Sequence, residues 1–203
     1  MDWRNSVIAY IREEAKPQDK FGHQPRLYRL TQELAADPST GLKCDDDVLF
    51  AAAWMHDLGV FLGHRPSDPV ELAQWNHVPY TIARTLELLP KWGFPQSKLN
   101  AVAETIRTHE AKYEPVIPEA VVLRDADILE QLGAVGALRA IVKVGRDTRY
   151  ATYSEIVPVL EKALAHLPGQ LRLAQSRTMA ESRVEILSAF LKAIRNEAGL
   201  MLH

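Results

Sequence analysis

The stretch Val48–Gly59, VLFAAAWMHDLG, decides the fold. Val48 to Met55 is an unbroken apolar run, followed by a histidine and a carboxylate side by side, His56 and Asp57, and then by Gly59. A helix that is apolar on every face is a buried helix. An Asp at the inner end of such a helix is costly unless positive charge meets it. A metal ion meets that need, and histidine is the commonest metal ligand. Adjacent residues on an ideal helix point about 100° apart. His56 and Asp57 therefore converge on one ion only where the helix ends, and Gly59 is expected to supply that end.

Outward from this stretch the chain reads as helices. Trp3, Val7, Ile8, Ile11 and Ala15 stripe a helix over residues 2–16, which Pro17 stops. Leu27, Leu30, Leu34 and Ala35 stripe a second over 24–36. The buried helix occupies 45–57, with Asp45–Asp47 as a capping run at its positive end. A loop rich in Gly and Pro follows, LGVFLGHRPSDP. Further helices are expected over 70–89, entered at Asp68 with Pro69 at its first position, over 96–110, and over 119–144 with an interruption near Gly133 or Gly136. Two more cover 153–166 and 170–198, the last with Val184, Leu187, Leu191 and Ile194 on one face. No strand shows convincing alternation. The expectation is a single all-α domain over residues 1–203, a bundle of about eight helices.

Composition narrows the class. At 203 residues, 47% apolar and 25% charged, the chain is long enough for one domain with a real core. A net charge of −2 gives no global argument for a nucleic-acid polymer or an anionic membrane. The longest apolar run is too short to span a bilayer. The start, MDWRNSVIAYIREEAK, has scattered charges rather than the pattern of a signal peptide. One cysteine, Cys44, excludes an internal disulfide and fits a reducing compartment, so a cytoplasmic protein is expected.

Of the seven histidines, His23, His56, His77 and His109 each lie near an expected helix end. Asp57 and Asp127 lie in equally apolar contexts, Asp127 within VVLRDADILEQL. A mixed nitrogen and oxygen set suits Mn, Fe, Co, Ni or Zn rather than Ca. His64 is expected to face solvent, and Trp54, Trp75, Trp92 and Phe94 to be core, with Trp75 or Tyr80 near enough to His77 to flank a base or sugar.

The order His, His-Asp, His, His, Asp, spaced 33, 21, 32 and 18 residues apart, resembles the HD-domain superfamily of metal-dependent phosphohydrolases. VLRDADILEQLGAVGALRA is similar to the DADRLDALGAIG segment of small stand-alone bacterial members. The resemblance covers residues 20–145, and the helices over 153–198 lie outside it. It implies an HD-type helical bundle. It also implies that His23, His56, Asp57 and Asp127 hold a metal, with His77 and His109 at positions that hold a second ion or a substrate phosphate. Asp125 competes with Asp127, and the AD-x-L register of the family favours Asp127. Ile128 departs from the family's Arg at that position. One or two divalent transition metals are implied, with Asp57 bridging in a binuclear site.

The activity implied is hydrolysis of a nucleotide or another small phosphorylated metabolite by metal-activated water. Arg26, three residues after His23, is a candidate phosphate clamp. Arg65 and Asp68 are candidates at the mouth of the site, Asp68 as a general acid or base or simply as a helix cap. Gly63-His64-Arg65 and Tyr113-Glu114-Pro115 do not reproduce the motifs of guanosine-tetraphosphate or cyclic-di-GMP hydrolases. The alternative within the same resemblance is a di-iron oxygenase acting on a small polyol or phosphonate. The oligomeric state is left open, a homodimer included.

Overall fold

The computed structural model describes residues 2–146, 150–198 and 201–203, and no strand occurs among them. Ten α-helices do: α1 (Trp3–Glu14), α2 (His23–Ala35), α3 (Asp46–Met55), α4 (Pro69–Ala73), α5 (His77–Lys91), α6 (Leu99–Arg107), α7 (Pro118–Glu130), α8 (Gly133–Ile141), α9 (Ile156–His166) and α10 (Ala174–Ala198). The all-α expectation holds. The count exceeds eight because two expected helices are each broken in two. Residues 70–89 do not form one helix: α4 ends at Ala73, and Asn76 starts α5 afresh by accepting a hydrogen bond from the Val78 amide. The second break falls at Gln131–Leu132, and Gly133 opens α8 at φ +71°, where a side chain would be strained.

The chain divides into two compact units, one up to Ala126 and the other from Asp127, and the division falls inside α7. In the first unit, α3 is the axis. Every residue from Val48 to Met55 is buried, as the apolar run requires. The helices α1, α2 and α6 pack on it, and α5 packs on α6. Phe50 joins three of these elements, meeting Trp3 edge-on at 5.3 Å and Tyr28 at 4.9 Å, while Trp3 also meets Phe94 at 4.8 Å. Removing such a ring costs about 3–5 kcal/mol.

The acidic start of α3 is a structural cap. Asp45 accepts from the Asp47 amide, and Arg4 and Lys98 reach in from α1 and from the turn before α6 to bridge Asp46, Asp47 and Asp45. Hydrogen bonds from Lys98 and Arg4 hold the Asp47 carboxyl below its ordinary range. The second unit is simpler. α8, α9 and α10 pack on one another around Ile156, Leu160, Leu187 and Leu191. Of the expected α10 stripe, Val184 and Ile194 are half-buried.

Candidate metal centre

Each of the four histidines stands at a helix terminus. His23 opens α2 and His77 opens α5, while His56 caps the end of α3 and His109 lies two residues beyond the end of α6. The last turn of a helix leaves carbonyls without intrahelical partners. At α3 and α6 these carbonyls take up the imidazoles in the same way. His56 Nδ1 lies 3.0 Å from the Ala53 carbonyl oxygen and His109 Nδ1 lies 2.6 Å from that of Ile106, in each case three residues back. A carbonyl only accepts, so Nδ1 carries a proton in both rings, and in the neutral ring Nε2 is left with the lone pair that a metal takes. Two helix C-termini thus aim two ligand-ready nitrogens, at ends where the backbone dipole favours a cation.

Asp57 completes the arrangement by leaving the helix. Its backbone adopts φ −97°, ψ 7°, and a 3-10 turn over Leu58–Val60 follows. The change of direction brings its Oδ2 to 3.5 Å from His56 Nε2 and 3.7 Å from His23 Nε2, and its Oδ1 to 3.9 Å from His77 Nε2. The Nε2 atoms of His23 and His56 approach to 3.3 Å. His56, Asp57 and His109 each present a ligand atom within 4.8 Å of the others. His56 and His23 are buried, while the Asp57 side chain is 22% exposed, which makes it the open side of the cluster.

This donor set fits a divalent transition metal. Bonds of about 2.1 Å at octahedral or tetrahedral angles separate neighbouring donor atoms by about 3.0–3.4 Å. The 3.3 and 3.5 Å spacings lie at or near that range. Imidazole nitrogens and a carboxylate gathered this closely call for positive charge among them, from a proton or from a metal ion.

The end of α3 is made differently from the expectation. Gly59 does not adopt positive φ; it is required because α5 passes directly over it. A Cβ at Gly59 would lie 2.9 Å from the His77 carbonyl oxygen and 2.9 Å from Thr81 Oγ1. The Gly59 amide donates to Thr81 Oγ1 at 3.0 Å, and its carbonyl accepts from Trp75 Nε1 at 2.8 Å.

His64 is also corrected. Its side chain is 8% exposed rather than solvent-facing, held between Tyr80 and Glu14. Sequence reasoning missed Glu14, Thr81 and the break before His77. The break had a signal: Asn76 is a capping residue, and Pro79 falls in the first turn, where proline is tolerated. Trp54 and Phe94 are buried, and Trp75 and Trp92 are half-buried.

Asp68 is exposed, and its carboxylate accepts from the Val70 and Glu71 amides as the cap of α4. Arg26 is half-buried on α2, its Nη1 folded back so that a Cβ at Gly22 would sit 3.0 Å from it. Arg65 is half-buried in the loop after the buried helix. Asp125 is fully buried beside Arg124, itself 1% exposed, with Arg124 Nη1 at 3.9 Å from Asp125 Oδ1. Arg124 Nη2 donates to the Ala111 carbonyl at 2.6 Å, two residues after His109. Asp127 is half-buried on α7, and its Oδ2 accepts from Gln131 Nε2 at 3.0 Å.

Residues 21–132 match the model of the HD domain. No curated protein matches the sequence. The fold is similar to that of Bacillus subtilis YpgQ, with a TM-score of 0.72 at 17% identity over 98% of this chain and 97% of that one. A second structure of that protein, in complex with ADP, gives a TM-score of 0.70 at 18% identity over 98% and 99%. A predicted HD superfamily hydrolase from an uncultured Thermotogales bacterium gives 0.62 at 23% identity over 96% and 92%. At these identities the likeness is one of fold.

Proposed function

The chain belongs to the HD-domain family, and from that premise we propose that it is a metal-dependent phosphohydrolase acting on a nucleotide or another small phosphorylated metabolite. The observation that carries the reading is the pair of Nδ1–carbonyl bonds, which turn the Nε2 atoms of His56 and His109 toward the partly exposed Asp57 carboxylate. The proposed ligand set is His23, His56, Asp57, His77, His109 and Asp127, taking Mn, Fe, Co, Ni or Zn. Burial favours Asp127 over Asp125, because Asp125 is enclosed against the Arg124 guanidinium. Asp57, whose two oxygens face different histidines, would be the carboxylate shared if a second ion were held.

When bound, such an ion lowers the pKa of its water and offsets the charge of a phosphoryl group. The protein's own residues do the rest. The carbonyls of Ala53 and Ile106 hold two imidazoles in one tautomer and orientation. Asp57, on the open side, is where substrate meets the cluster. Arg26 is proposed as the clamp on a non-transferred phosphate, since its planar fork matches two oxygens at once. Asp68 is spent on capping α4, so its proposed acid–base role needs release from two backbone amides.

The single cysteine and the absence, among the described residues, of any helix able to cross a membrane accompany a proposed cytoplasmic role on small substrates. YpgQ was solved with ADP, which makes nucleoside di- and triphosphates the first compounds to try. The test is a phosphate-release screen over nucleotides, sugar phosphates and pyrophosphates with each metal in turn, run beside an O₂-uptake control. Metal-dependent phosphate release lost in Asp57→Ala supports the reading. O₂ consumption with turnover and no phosphate release overturns it in favour of the di-iron alternative.

A further inference from the structure

We propose that His64 is a positioning residue that holds His77 in place against Asp57 through Tyr80. The proposal rests on the metal-centre reading above. His64 lies in the Gly- and Pro-rich loop after α3, yet its side chain is 8% exposed. Its Nε2 is 2.9 Å from Glu14 Oε2 on α1, and its Nδ1 is 2.8 Å from the Tyr80 hydroxyl on α5. A carboxylate accepts, so Nε2 carries the proton. In the neutral form of the ring the other nitrogen then accepts from the Tyr80 O–H. Glu14 sets the tautomer, and the tautomer sets the bond to Tyr80.

The target of this tie is the first turn of α5. His77 opens that helix, and Tyr80 is three residues on, on the same face. Because α4 ends at Ala73, no preceding helical turn supports His77. Its position depends on tertiary ties instead. Two act at the near end of the loop, Gly59 to Thr81 and Trp75 to Gly59. Two hold the loop to the segment after α1: the Leu62 amide donates to the Lys16 carbonyl at 3.0 Å, and Lys20 Nζ donates to the Val60 carbonyl at 2.8 Å. His64 carries the tie at the far end and joins α1 to α5 by way of the loop, while Tyr10 and Arg84 hydrogen-bond directly between the same two helices farther along α5. If it loosens, the 3.9 Å relation of His77 to Asp57 loosens with it.

The test is Mn²⁺ binding to the full-length protein, followed by electron paramagnetic resonance, in the wild type, His64→Leu, Tyr80→Phe and His64→Gln. Tyr80→Phe keeps the ring and removes only the hydroxyl, so it stays informative if His64→Leu folds poorly. Gln supplies an N–H for Glu14 and an oxygen for Tyr80 without an imidazole. The expected result is that the weakest-bound Mn²⁺ loses about tenfold in affinity in His64→Leu and Tyr80→Phe, as for other residues that orient metal ligands. In His64→Gln it recovers to within about threefold of the wild type. Wild-type affinity in Tyr80→Phe, or a His64→Gln variant as impaired as His64→Leu, overturns the proposal while leaving the metal centre standing. A wild type that binds no Mn²⁺ overturns both.

Discussion

The Nε2 atoms of His23 and His56 stand 3.3 Å apart, and the Nδ1 of His56 donates to the Ala53 carbonyl. Two imidazole nitrogens at that distance, beside a carboxylate oxygen 3.5 Å from one and 3.7 Å from the other, form a cation-shaped arrangement. Its rigidity comes from α3, whose apolar surface is buried along its length, and from the strap of loop that runs between α1 and α5.

Gly59→Ala is expected to lower stability by about 1–3 kcal/mol, since the added methyl meets the backbone of His77 and the side chain of Thr81. Urea unfolding measures it. An unchanged midpoint would show that α5 does not press on this turn.

Arg124→Met is expected to destabilise the fold by about 3–5 kcal/mol, because it leaves the buried Asp125 carboxylate without its neighbouring charge. Combining it with Asp125→Leu is expected to recover most of the loss. Chemical denaturation of both variants checks this, and a harmless single substitution would dissolve the pair as a structural unit.

These two cases show what was legible in the sequence and what was not. Periodicity placed the helices within a few residues, and it placed His23, His56 and His109 near helix ends, because both are local properties, whereas His77 fell inside the single helix expected over 70–89. Gly59 was read as a helix stop, a local role, whereas its cause is a contact with a helix 18 and more residues away. Glu14 and His64 are separated by 50 positions, and Arg124 reaches 13 positions back to Ala111. No pattern within one element encodes such ties. Asp125 and Asp127 are alike in sequence context and differ in burial, which only the packing around Arg124 reveals.

The start of α3 predicts an acid-sensitive increment of stability. Asp47 has its carboxyl pKa lowered from 3.8 by Lys98 and Arg4. A depressed folded pKa adds stability above the unfolded value, and that stability is lost as pH falls through the folded pKa. Wild type and Asp47→Asn should therefore differ by up to about 1 kcal/mol at pH 7, with the gap closing below about pH 3.9. A gap that widens on acidification would contradict the assignment.

His109→Ala is expected to weaken or remove one bound metal ion and most phosphatase activity while leaving the helical circular dichroism nearly intact, because the residue lies beyond the end of α6 and its Nδ1 meets a single carbonyl of the last turn. Metal stoichiometry equal to the wild type would remove His109 from the ligand set.

The central claim is that His56 and Asp57 hold a divalent metal at the end of a buried helix. Elemental analysis of protein purified without chelator and reconstituted with Mn, Fe or Zn, alongside Asp57→Ala, tests it most directly. The account predicts at least about one ion per chain in the wild type, lost in Asp57→Ala with an unchanged helical spectrum. A wild type that stays metal-free after reconstitution, or an Asp57→Ala variant that keeps its full metal content, would contradict it.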